Sequence, residues 1–134
     1  MAIIIEPYVG VKYNGRLINF SLLPEEIEEI MEEKVEKIII VPREEMWEER
    51  SEMIFVYIHN KLVEINFSSE NILFLYDRKL SKTENVIGVL KQYDDEIIGK
   101  SGCSNFYRLG ISMGGMNFMT VFCKDRLEFY KSKM

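Results

Sequence analysis

The chain has 134 residues, 47% of them hydrophobic and 12% aromatic, and a formal charge of −5. That composition supplies one packed core and lies outside the low-hydrophobicity, high-charge regime of disordered chains. No apolar run approaches the ~20 residues of a membrane helix. The short run Ile3–Ile5 has no basic segment before it and meets Glu6 at once, so no secretory leader is expected and the cytoplasm is the expected compartment.

The charge is uneven. Residues 21–52 hold twelve acids and four bases, a net of −8, whereas the other 102 residues hold ten acids and thirteen bases, a net of +3. An acidic segment of this kind repels phosphate and attracts a basic partner, which argues against nucleic-acid binding through that side. Cys103 and Cys123 are two thiols far apart in sequence, with a single histidine, His59, in the whole chain. That is too few for a disulfide framework or a zinc site, so free thiols are expected, Cys123 buried in a strand and Cys103 in a loop.

Val9–Tyr13 and Arg16–Phe20 flank Asn14-Gly15, a dipeptide suited to the positive φ angles of a two-residue hairpin. A helix should follow, capped by Ser21, with Pro24 in its first turn and Glu25 and Glu26 at its positive end. Leu23, Ile27, Ile30 and Met31 mark its buried stripe. Lys37–Val41 reads as a buried strand ending at Pro42, and Arg43–Arg50 as a helical turn or loop carrying the only tryptophan, Trp47. Met53–Ile58 and Leu62–Phe67 form a second hairpin around His59-Asn60, with Glu64 and Asn66 alternating against Leu62, Ile65 and Phe67. Ile72–Tyr76 is another strand. Ser81-Lys82-Thr83-Glu84 is a capping box opening a second helix, with Val86, Ile87, Leu90 and Tyr93 inward. Asp94–Glu96 and Gly99–Gly102 read as loops. Phe106–Ile111, Phe118–Cys123 and Arg126–Tyr130 read as closing strands, the last two joined by a tight turn at Lys124-Asp125. The expectation is one α+β domain over residues 1–134, an antiparallel or mixed sheet of about six to eight strands with two short amphipathic helices.

No catalytic set emerges. His59 belongs at a hairpin tip for conformational reasons and has no partner nearby in sequence to make it a general base. Cys103, in Gly102-Cys103-Ser104, has no evident activating base. Gly110–Gly115 lacks the lysine of a phosphate loop and suits a turn or bulge. Ser112 sits in the letters Gly-x-Ser-x-Gly without the strand-to-helix context or later histidine of a nucleophile elbow. Asp94-Asp95-Glu96 lacks the spacing and turn glycine of a calcium loop. The expectation is no enzyme, no cofactor and no metal. Trp47 admits two readings: an interface anchor among steering charges, or a side chain folded back over the core.

Tyr8-Val9-Gly10-Val11, Ile18-Asn19-Phe20-Ser21 and Pro24-Glu25-Glu26-Ile27 resemble the opening of a module found in small bacterial proteins. Val56–Ile65, the Ile87–Asp94 helix and Leu109-Gly110-Ile111-Ser112 extend the likeness over most of the chain, with departures at Leu22 and Glu33. This pattern resembles the immunity proteins of contact-dependent and other polymorphic toxin systems. The resemblance implies a cytosolic inhibitor that binds one cognate toxin domain, often a basic nuclease, and it assigns no functional residue. The expected partner-binding residues are Glu44, Glu45, Trp47, Glu48 and Glu49, with Asp94 and Asp95 as a second cluster. The alternative is a small-molecule or peptide-binding module with an apolar pocket lined by Tyr107, Phe118, Phe122 and Tyr130. Oligomeric state is left open.

Overall fold

A computed structural model describes residues 2–13, 15–31, 37–41, 45–50, 53–68, 72–76, 78–80, 84–94, 96–100, 103–114 and 118–132. Among the described residues, thirteen strands form two sheets. The first joins β1 (Ala2–Glu6), β2 (Gly10–Tyr13), β3 (Arg16–Asn19), β8 (Ile72–Leu75) and β9 (Arg78–Leu80) in the order β3-β2-β1-β8-β9. β1 lies parallel to β8 and antiparallel to β2. The second contains β4 (Lys37–Val41), β5 (Glu45–Arg50), β6 (Met53–Ile58), β7 (Lys61–Ser68), β10 (Ile97–Lys100), β11 (Cys103–Phe106), β12 (Ile111–Gly114) and β13 (Phe118–Phe122). Its order is β10-β11-β12-β13-β7-β6-β5-β4, antiparallel throughout.

The α+β class expected from the sequence is present, but the single sheet is corrected to a five-stranded and an eight-stranded one. Periodicity identifies strands and leaves their partners open. Here the parallel pairing of β1 with β8 draws two hairpins, remote in sequence, away from the larger sheet. A single buried cluster takes residues from both sheets, among them Ile3, Ile5 and Val11 from the smaller and Phe55, Ile65 and Phe67 from the larger. Ile27 and Met31 of α1 (Pro24–Met31) and Val86 and Leu90 of α2 (Glu84–Leu90) complete it.

The hairpin of β6 and β7 turns at His59 and Asn60, with φ of 51° and 64°, as the sequence suggests. Asn14, the capping box residues 81–83 and Gly115 lie outside the described residues. α1 starts where expected, yet Ser21 is not its cap. The Ser21 amide donates to Asn19 Oδ1 (2.9 Å), and Leu23 takes the cap position. Its carbonyl accepts from Glu26 and Ile27, while the Leu23 amide donates to Glu26 Oε1 (3.0 Å).

Five further expectations are corrected. Residues 45–50 form a strand, because its charges have partners on both faces of the sheet. Gly99 and Cys103 lie in strands β10 and β11, since a hairpin pairs Lys100 with Cys103. The expected strand Phe106–Ile111 is divided by a turn at residues 107–110, with Gly110 at φ +66°. Arg126–Tyr130 is no strand: Lys124–Arg126 is a 3-10 turn leading into a third helix, α3 (Leu127–Ser132). The Leu127/Phe129 alternation suggests period two, but the buried residues are Arg126 and Tyr130, four apart on one helical face. Tyr93, expected inward, is largely exposed beside Tyr76, because α2 ends at Leu90.

On the inner face of the eight-stranded sheet, Arg50 lies 3.4 Å from Glu48 and 3.7 Å from Glu28 of α1. Arg50 is buried and its pair with Glu48 is shielded from water, whereas Glu28, through which it meets the helix, is an exposed side chain. Removing Arg50 alone leaves Glu48 buried without its cation. Arg50→Ala should therefore cost about 3 kcal/mol, and Arg50→Met with Glu48→Gln should recover most of it, read from urea unfolding midpoints. Gly10 has φ +153°, and a Cβ there would meet the Ile18 carbonyl oxygen at 2.0 Å. Gly15 has φ +78° but open space around it. Gly15→Ala should thus cost about 1 kcal/mol, and Gly10→Ala clearly more in the same assay.

Candidate functional site

Side chains alternate across a strand, so the charged segment 45–50 is divided between two environments. Met46, Glu48 and Arg50 pair with Tyr57, Phe55 and Met53, which are core residues. Glu45, Trp47 and Glu49 pair with Ile58, Val56 and Ile54 on the outer face. The register continues a row across that face that is polar except at Ile54: Glu49, Ile54, Asn66, Thr120, Ser112 and Asn105 are successive cross-strand neighbours. Ser112 and Asn105 are buried despite being polar. The Thr120 hydroxyl donates to Asn66 Oδ1.

α3 covers one end of this face. Arg126 Nη2 donates to Glu45 Oε1 at 2.5 Å and lies 3.5 Å from Glu64 Oε2. The Tyr130 hydroxyl donates to the other oxygen of Glu64. The Arg126 guanidinium stacks 3.7 Å from the Phe129 ring centre, and Tyr130 stacks on Phe122 at 4.3 Å. Beside this network is a cavity of about 300 Å³ walled by Trp47, Phe118, Phe129 and Tyr130, with Glu45, Glu64, Asn66, Ser112 and Thr120 contributing polar atoms. Phe118 remains 41% exposed at its rim. Among the described residues, the buried Trp47 Nε1 and Arg126 Nε have no hydrogen-bond partner. Such orphaned donors cost stability and are uncommon.

Of the residues expected to bind a partner, Glu45 and Trp47 line the cavity and Glu49 shares their face. Glu48 does not: it is 7% exposed and faces the core. Glu44 and Asp95 lie outside the described residues. Asp94 is 1% exposed, and its carboxylate accepts from the amides of Glu96 (3.0 Å) and Arg108 (2.9 Å), tying the end of α2 to the turn after β11. The acids expected to form one patch are therefore separated by the pleat. The glutamates of α1 are exposed on the helix, and Glu28 among them meets Arg50 on the inner side of the sheet.

The pocket expected around four aromatic residues is also redistributed. Phe118 and Tyr130 line the cavity, Phe122 is buried against Tyr130, and the Tyr107 hydroxyl donates to the Tyr130 carbonyl (3.3 Å). Sequence reasoning missed Glu64, Asn66, Ser112, Thr120 and Arg126. The first two alternate with apolar neighbours and so read as solvent-facing. Only the return of α3 over the face makes them part of a site. Ser112 lies within a strand, which removes the elbow reading.

The thiol of Cys123 is buried just after β13, and burial pushes its pKa up, so it is poorly placed as a nucleophile. Tyr8 takes φ +61°, and its hydroxyl donates to the Tyr107 carbonyl. Burial, and then the Asp94 charge, push the Tyr8 hydroxyl up to about 12. Burial and then the Glu48 carboxylate raise Tyr57 also. No known protein family, curated protein or solved structure matches the chain.

A hydroxyl whose pKa is higher in the folded state favours folding while protonated. The Tyr8 contribution is complete below pH 10 and declines as pH rises from 10 towards 12. Unfolding midpoints should fall across that interval, and Tyr8→Phe should make the fall shallower.

Proposed function

We propose that this chain is a binding protein and not an enzyme, and that it engages a protein partner through the outer face of the eight-stranded sheet. The resemblance of its sequence to toxin immunity proteins adds the kind of partner, a basic toxin domain met in the cytoplasm. One observation carries the reading: Trp47, Phe118, Phe129 and Tyr130 converge around a recess that also holds the Glu45–Arg126–Glu64 network. A face meant only for water has no need to gather large aromatic groups beside desolvated charges. Tryptophan, tyrosine and arginine are also the residue types that dominate binding energy at interfaces. The orphaned Trp47 Nε1 adds to this, since an indole retained at a cost to folding points to a role other than packing.

The test is calorimetric titration of the chain with the purified products of the genes adjacent to its own. One of them should bind, and Trp47→Ala should weaken it at least ~30-fold, a loss of about 2 kcal/mol or more. Trp47→Phe should leave the unfolding midpoint unchanged or raise it while still weakening binding. Full affinity in a Trp47→Ala, Phe118→Ala double variant would remove this face from the account.

The cavity volume favours one second reading, a small-molecule or peptide module. About 300 Å³ is the lower end of the range for small-ligand pockets. A metabolite that raises the melting temperature of the wild type but not of Trp47→Ala would support it.

A further inference from the structure

We infer that the cavity on the outer sheet face is a receptor for one basic side chain, an arginine or a lysine, projecting from the bound partner. This rests on the reading of that face as a protein interface and names the chemistry it selects. The cavity walls carry two carboxylates, Glu45 and Glu64, and one guanidinium, Arg126, a net charge of −1. Glu49 adds a further acid on the same face.

The two carboxylates are not equivalent. Glu64 is buried, and its oxygens face the Tyr130 hydroxyl and Arg126. Glu45 is held through one oxygen by Arg126, leaving the other as the acceptor that can meet an incoming cation. Trp47, two residues on along the same face of β5, supplies aromatic surface next to it, and Phe118 stands at the rim of the same cavity. A cation between a carboxylate and an aromatic face gains from both, and more so where water is partly excluded. The chain already builds one such arrangement from its own residues, with the Arg126 guanidinium on the Phe129 ring and against Glu45. At about 300 Å³ the space suits a side chain better than a whole drug-sized ligand.

Trp47 is the only tryptophan of the chain, so its fluorescence reports on this wall alone. The wild-type protein is titrated with N-acetyl-arginine methylamide, its lysine counterpart, the neutral citrulline isostere and the anionic N-acetyl-glutamate methylamide. The two cationic probes should change the emission saturably, with weaker binding as salt increases, and the other two should not. Glu45→Gln should weaken the arginine probe roughly five- to tenfold, and Phe118→Leu roughly threefold. The melting temperature of each variant establishes that it is folded, and Phe118→Leu leaves the charge network intact should Glu45→Gln disturb it.

Equal binding of arginine and citrulline probes, a response to the glutamate probe instead, or no saturable response to any probe overturns the inference. A partner that needs Trp47 but is indifferent to Glu45→Gln overturns it too, while leaving the interface reading in place. Binding of the arginine probe with no partner affected by Trp47→Ala sustains the cation site and sinks the interface reading.

Discussion

Arg126 lies buried between Glu45 and Glu64, and the outer face of the larger sheet depends on that contact. An ion withdrawn from water loses hydration worth several kcal/mol unless oppositely charged groups replace it. Two carboxylates on β5 and β7 do so here, and Tyr130 adds a hydroxyl to one of them. The six residues of α3 are too few to hold a helix by backbone hydrogen bonding alone. Its position comes from this network and from Tyr130 stacked on Phe122. Once α3 is held, the polar row beyond it becomes the floor of a recess instead of open sheet surface.

The same sheet uses a second charge cluster on its inner side. Glu48 and Arg50 of β5 are buried, and Arg50 reaches Glu28 on α1. β5 thus ties a different element to each of its faces: Glu45 holds the 3-10 turn that leads into α3 outside, and Arg50 reaches α1 inside. This explains how so charged a segment forms an internal strand between β4 and β6. Buried ion pairs contribute less to net stability than well-packed apolar groups, and they are costly to break. Their usefulness here is positional. Each pairs only with a defined partner and so selects where each helix sits.

Much of the local structure was legible in the chain. The His59-Asn60 hairpin, α1 and the strands β2, β3, β6 and β7 follow from turn chemistry and apolar periodicity. Those signals act within a few residues and so survive in any local reading. The 45–50 strand and the turn into α3 escape a local reading because charged residues that seem to require solvent, Glu45 and Arg126, are paired with residues distant in sequence, while the spacing of Leu127 and Phe129 imitates a strand. Charge counts as surface until its partner is known.

The candidate site shows the same division. Composition and pattern by themselves determined an α+β chain with enough apolar material for a core, a concentration of acid in residues 21–52, and a lone tryptophan among charges. They did not determine which acids share a surface. Only the tertiary structure separated Glu45 and Glu49 from Glu48, buried Asp94 in a backbone tie, and brought Glu64 and Arg126 to Trp47. The physical reason is the two-residue pleat of a strand: it sends adjacent charges to opposite faces, and the pairing of distant strands and the return of the C-terminal helix then decide which face has a recess.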